Sequence, residues 1–157
     1  MKNIYLLTAI TCISIGYYYF VNTYDSMPKE YKTLYSDEME IIGKHHKIIR
    51  LLAKDQPTKD KIRLAENYII DSKVWIVELD EIATEYKKIS KGISMRKRSE
   101  LAAKTLEVRK NIQLIEQTRI MLENALKGTI NPEHARLLEF NSSEAYRKVF
   151  KNIPQKK

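Results

Sequence analysis

The chain holds 157 residues, with 28 Lys and Arg against 20 Asp and Glu, a formal net charge of +8, and 43% apolar residues. It has four Gly, four Pro and a single cysteine, Cys12. That composition excludes collagen-like and Gly- or Pro-rich disordered chains; the lone thiol excludes an intrachain disulfide or a multi-cysteine zinc site, and the scarcity of glycine argues against a large α/β enzyme with tight strand–helix connections.

The first element is an apolar run. No charged side chain occurs from Asn3 to Tyr24, and Ile4–Val21 reads IYLLTAITCISIGYYYFV. As a helix rising roughly 1.5 Å per residue, these positions span about 27 Å, close to the ~30 Å hydrocarbon core of a bilayer. Ile4, Leu6, Leu7, Ile10, Ile13 and Ile15 supply its apolar body. Tyr17, Tyr18, Tyr19 and Phe20, followed by Tyr24, gather at its end, where amphipathic rings favour the headgroup region. Residues 1–25 are therefore expected to form a single-pass membrane anchor. A cleaved signal peptide ending at Ser14-Ile15-Gly16 is the alternative, and a lipoprotein signal at Cys12 a third reading. Apolar sequence continuing through Tyr17–Val21 speaks against both, and Ala9-Ile10-Thr11 lacks the small residue that precedes a lipidated cysteine. Lys2 and the α-amino group on one side balance Lys29 and Lys32 on the other. The short basic N-terminus, like a secretory n-region, places the bulk of the chain outside the cytoplasm, in the periplasm, with a cytoplasmic orientation as the alternative.

Beyond the polar linker Asn22–Ser26, periodicity predicts an up-down-up three-helix bundle over residues 26–128, with helices at about 28–54, 58–90 and 94–127. Pro28 suits a first helical turn, Asp55-Gln56-Pro57-Thr58 is a break with Thr58 as cap, Gly92 is the expected C′ residue, and Ser94 caps the third helix. In the second helix, Ile62, Ala65, Ile69, Ser72, Ile76, Leu79, Ala83 and Tyr86 recur by alternating threes and fours, flanked by Tyr68, Trp75, Ile82 and Ile89. The third repeats this with Leu101, Thr105, Val108, Ile112, Ile115, Arg119, Leu122 and Leu126. The first is rougher: Tyr31, Leu34, Glu38, Ile41, His45, Ile48 and Leu52, beside Tyr35, Ile42 and Ile49. Such wide apolar faces suit a bundle rather than a two-stranded coiled coil. Ile70, Val74, Val77, Leu114 and Ile120 fall outside the stripes, free to pack on the C-terminal helices or on another chain. Residues 129–157 are expected to add short helices and a basic tail, and no period-2 alternation predicts a sheet. The fold class is all-α.

Glu38, His45, Ser72 and Arg119 occupy seam positions, where polar residues fix register at a cost in stability. Arg119 is expected either to pair with Glu38 or to lead its head out to solvent. His45 and His46 point about 100° apart on a helix and do not converge on one ion, and neither has a ligand partner one turn away; no metal site and no cofactor are expected.

Between Lys87 and Lys110 stand nine cations, Lys87, Lys88, Lys91, Arg96, Lys97, Arg98, Lys104, Arg109 and Lys110, against Glu100 and Glu107. Nearly the whole net charge thus sits around one hairpin, which the up-down-up order returns towards the bilayer. Lys87, Lys88, Lys91, Arg96, Lys97 and Arg98 are the expected contacts to lipid headgroups or to an acidic partner. Nucleic acid is not an expected partner, since no reading helix, aromatic interleaving or basic zipper accompanies the charge. No phosphate loop, nucleophile elbow or metalloprotease motif occurs. Glu78, Glu81 and Glu85 share one helix face, read as solvated, with Glu85 paired to Lys88. Asn141-Ser142-Ser143 matches a glycosylation sequon and equally serves as a helix cap.

The expected function is a non-enzymatic, membrane-anchored scaffold or adaptor in an envelope assembly, binding lipid and either other envelope proteins or further copies of itself. The alternatives are a sensory helical ectodomain with Trp75, Tyr68 and Tyr86 lining a ligand pocket, and a secreted effector released by signal cleavage.

Overall fold

A computed structural model describes residues 27–54 and 57–127. The anchor positions Ile4 to Phe20, the two residues at the first break, Asn141-Ser142-Ser143 and the segment 129–157 lie outside the described residues. Three α-helices and no strand occur among the described residues: α1 (Lys29–Leu52), α2 (Thr58–Ile89) and α3 (Met95–Lys127). None is long and apolar enough to cross a membrane.

The helix ends follow local chemistry. Pro28 and Pro57 are the N-caps of α1 and α2, in extended conformation, so each helix starts one residue after its proline and Thr58 is the first helical residue rather than the cap. A proline lacks the N–H that a helix start leaves unpaired, so it sits there at little cost. Ser94 does cap α3: its Oγ accepts from the Lys97 backbone N–H at 3.4 Å. Ser90 is the C-cap of α2, and the left-handed residue is Gly92 at φ +84°, one position later than a C′ glycine.

The helices alternate in direction. Tyr31 lies against Tyr86, ring centroids 5.7 Å apart, and His45 meets Tyr68 at 2.8 Å, so α1 descends beside a rising α2. A five-residue connection then folds α3 back along α2. The core runs down the middle of the bundle through Ile41, Ile49 and Leu52 of α1, Ala65, Tyr68, Trp75, Leu79, Ile82 and Tyr86 of α2, and Leu101, Val108, Ile115 and Leu122 of α3. In α2 the most buried line passes through Ala65, Tyr68, Ser72, Trp75, Leu79, Ile82 and Tyr86. It lies between the two stripes read from periodicity, because α2 touches a neighbour on each side and its buried arc is centred between them; Ile62, Ile69 and Ile76 become half-buried flanks.

The interfaces differ in closeness. The α2 and α3 backbones run close along their length, α1 follows α2 less extensively, and α1 approaches α3 at few places. Long side chains span the gap between α1 and α3.

Candidate functional site

Three surfaces or clusters stand out: the basic hairpin, the polar seam between α1 and α3, and the outer face of α2.

Lys87, Lys88, Lys91, Arg96 and Arg98 are exposed around the α2–α3 turn. Lys88 pairs with Glu85 at 2.8 Å, as the spacing predicts, while Lys97 and Arg96 share Glu100 at 3.0 and 3.7 Å. Lys87, Lys91 and Arg98 form no ion pair with any described residue. Arg96, Lys97 and Arg98 occupy the first turn of α3, which contains no acidic residue. Cations there oppose the positive end of the helix dipole, a cost of about 0.3–1 kcal/mol each where solvent screens them. Met95 protrudes among them at 87% exposure, the highest among the large hydrophobic residues described. The nine-cation block therefore divides. Lys104 turns inward, and Arg109 and Lys110 sit more than 20 Å along α3 from its first residue at roughly 1.5 Å per residue.

The seam holds a buried polar chain. Glu38 is 1% exposed; the Tyr86 hydroxyl donates to its Oε2 at 3.0 Å, and Lys104 Nζ reaches Oε1 at 3.2 Å. The same ammonium pairs with Glu107 at 2.9 Å and lies 4.9 Å from the centre of the Tyr35 ring. Burial works against the Lys104 charge, but the hydrogen bonds to Glu107 and Glu38 outweigh it and hold its pKa above the ordinary lysine value. Burial, then the adjacent Glu38 carboxylate, push the Tyr86 phenol far above its ordinary range, so it stays a donor. Two turns along α1, His45 Nδ1 lies 2.8 Å from the Tyr68 hydroxyl, which donates to the Ile115 carbonyl at 3.5 Å. One assignment satisfies both bonds: His45 Nδ1–H donates into the phenol oxygen. Burial, with a smaller contribution from His46, draws the His45 pKa down to about 4, so this imidazole is neutral at pH 7.

Arg119 does not meet Glu38. It pairs within α3, with Glu123 at 2.7 Å and Glu116 at 3.9 Å. The reason is axial: Glu38 is level with Lys104, and Arg119 stands fifteen residues, about 22 Å, further along α3. Ser72 is fully buried and donates to the Ile69 carbonyl of its own helix at 3.1 Å. His45 is buried and His46 exposed, their ring centres 5.2 Å apart. No group of three or more His, Cys, Asp or Glu among the described residues could hold a metal ion.

On α2, Ile70, Val74 and Val77 are 64%, 55% and 58% exposed and form one stripe at i, i+4 and i+7, opposite the buried line. Leu114 and Ile120 are half-buried instead. Beside the stripe, Asp37, Glu40, Glu78, Glu81 and Glu85 line a shallow cleft between α1 and α2, with Lys44 bonded to Glu40 at 2.7 Å. Glu78 and Glu81 remain exposed, so solvent screens their repulsion. Tyr68, Trp75 and Tyr86 are core residues; the Tyr68 and Trp75 rings meet edge to face at 5.6 Å.

Periodicity did not single out Lys104 or Met95. Lys104 falls three residues after Leu101 and four before Val108, on the edge of the α3 stripe, and that offset was the available signal. Met95 carried none beyond its place beside Ser94. Compared with known proteins, the chain matches no family model, no curated protein and no solved structure.

Proposed function

We propose that this chain is a non-enzymatic, single-pass membrane protein whose helical bundle serves as a scaffold or adaptor in an envelope protein assembly. The observation that carries the reading is the Ile70–Val74–Val77 stripe, aligned on the one α2 face that neither α1 nor α3 covers. Scattered single apolar residues are ordinary on a surface, whereas three in helical register present a ridge that another helix can pack against. The anchor part of the proposal rests on the uncharged run Asn3–Tyr24 and its terminal tyrosines.

The test uses the full chain in its native membrane, with a photo-crosslinking residue in place of Val74. Crosslinks to another envelope protein or to a second copy, lost when Ile70→Glu and Val77→Glu are added, are the expected result. Intact mass and protease accessibility in spheroplasts accompany it. A bundle that captures no protein overturns the adaptor reading, and a chain lacking its first ~16 residues overturns the anchor.

A further inference from the structure

We infer that the tip of the α2–α3 hairpin is a binding surface for anionic membrane lipid, with Met95 entering the interface and Lys87, Lys91 and Arg98 meeting headgroup phosphates. The inference rests on the membrane reading above and adds a second contact between the bundle and the bilayer.

Three independent observations converge. The first is position. The pairs Tyr31–Tyr86 and His45–Tyr68 set the register of α1 on α2, and that register places Met27 level with the last turn of α2, at about Ile89. Met27 packs on the same core as Ile89 and Ile93. Five residues, six peptide steps in all, separate Met27 from Val21, the last residue of the apolar run. Even fully extended they reach only about 20 Å, so an anchored chain holds the hairpin near the headgroups.

The second is charge without an internal use. Six cations, Lys87, Lys88, Lys91, Arg96, Lys97 and Arg98, face two carboxylates, Glu85 and Glu100. Lys87, Lys91 and Arg98 are left without ion pairs among the described residues. Three of the six oppose the dipole of α3. Lys104 shows the contrast: it is turned inward and bound to the buried Glu38.

The third is Met95. A thioether at 87% exposure, followed directly by Arg96, Lys97 and Arg98, matches interfacial lipid, which takes the apolar chain below the phosphates and the cations among them. A nucleic-acid duplex would use the cations and leave Met95 in water.

The experiment labels a single introduced thiol. The full chain carrying Cys12→Ser and Met95→Cys is reconstituted in phosphatidylcholine vesicles, with or without about 30% phosphatidylglycerol, and treated with a membrane-impermeant maleimide. Labelling on the order of tenfold slower in the anionic vesicles is expected, with the difference abolished by Lys87→Glu, Lys91→Glu and Arg98→Glu together. All three positions are exposed, so circular dichroism should report an unchanged fold. Equal labelling in both vesicles, with the chain floating in each through alkaline carbonate, overturns the hairpin proposal and leaves the anchor standing. Flotation only with anionic vesicles, reversed by salt and by the triple reversal, supports the hairpin and overturns the anchor. Protection by duplex DNA in neutral vesicles equal to that by anionic lipid overturns the lipid assignment.

Discussion

The two interfaces made by α3 are built on different principles. Against α2 it packs closely, with Leu101, Val108, Ile115 and Leu122 in one core with Tyr68, Leu79 and Ala83. Against α1 the backbones stand apart: Lys104 crosses to Glu38, and Tyr86 and Tyr68 reach in from α2, the first to Glu38 and the second to His45 and the Ile115 carbonyl. The close interface tolerates any well-fitting apolar side chains, because burial is non-directional. The wide one specifies partners, because a buried carboxylate or imidazole must find its donor or acceptor at one axial position. The lesson is that spacing between helices decides whether a seam is written in shapes or in charges.

Substitutions separate the two. The largest effect is expected for Lys104→Met, which leaves Glu38 buried with Tyr86 as its remaining donor. Urea unfolding should show a loss of about 3 kcal/mol, and adding Glu38→Leu should recover most of it. A Lys104→Met protein as stable as the parent would mean that the seam is not held by the pair.

Acid tests the second polar site. His45 titrates near 6.5 when unfolded and at about 4 when folded, so between those values the unfolded chain binds the extra proton. Stability should therefore be unaffected by this group above pH 6.5, decline by about 3 kcal/mol as the pH falls to 4, and change no further below. The difference between the parent and His45→Leu across that window isolates the contribution, and parallel pH profiles would remove it.

The smallest effect belongs to Ser72→Ala. Among the described residues its hydroxyl bonds only to a carbonyl of its own helix, so thermal unfolding should show a loss of no more than about 0.5 kcal/mol. A larger loss would mean that the Ser72 hydroxyl contributes more than a bond within its own helix.

Much of this was legible in the chain. Seam positions followed from spacings of three and four, and Glu38, His45 and Ser72 are all buried. Ser94 and the Glu85–Lys88 pair were legible because they depend on residues within one turn. What periodicity could not supply was the centre of the α2 face, since a helix with two neighbours buries an arc wider than one stripe. Nor did it point to Lys104, rather than Arg119, as the partner of Glu38. Both lie near the α3 seam, and only the axial register, set by hairpin geometry, brings Lys104 level with Glu38 and leaves Arg119 to Glu123.

The closer packing of α2 on α3 has a consequence for the order of events in folding. Links of five residues join α1 to α2 and α2 to α3 alike, so loop closure costs both pairs the same, and the more extensive contact of the two long helices makes them the expected nucleus. Helix α1 docks afterwards onto a finished surface, where the Tyr86 hydroxyl and the Lys104 ammonium already stand in place to receive Glu38. The polar seam thus acts late, as a proofreading step: a helix arriving one turn out of register would strand a carboxylate in the core, and that mismatch would send it back into solution before the bundle closed.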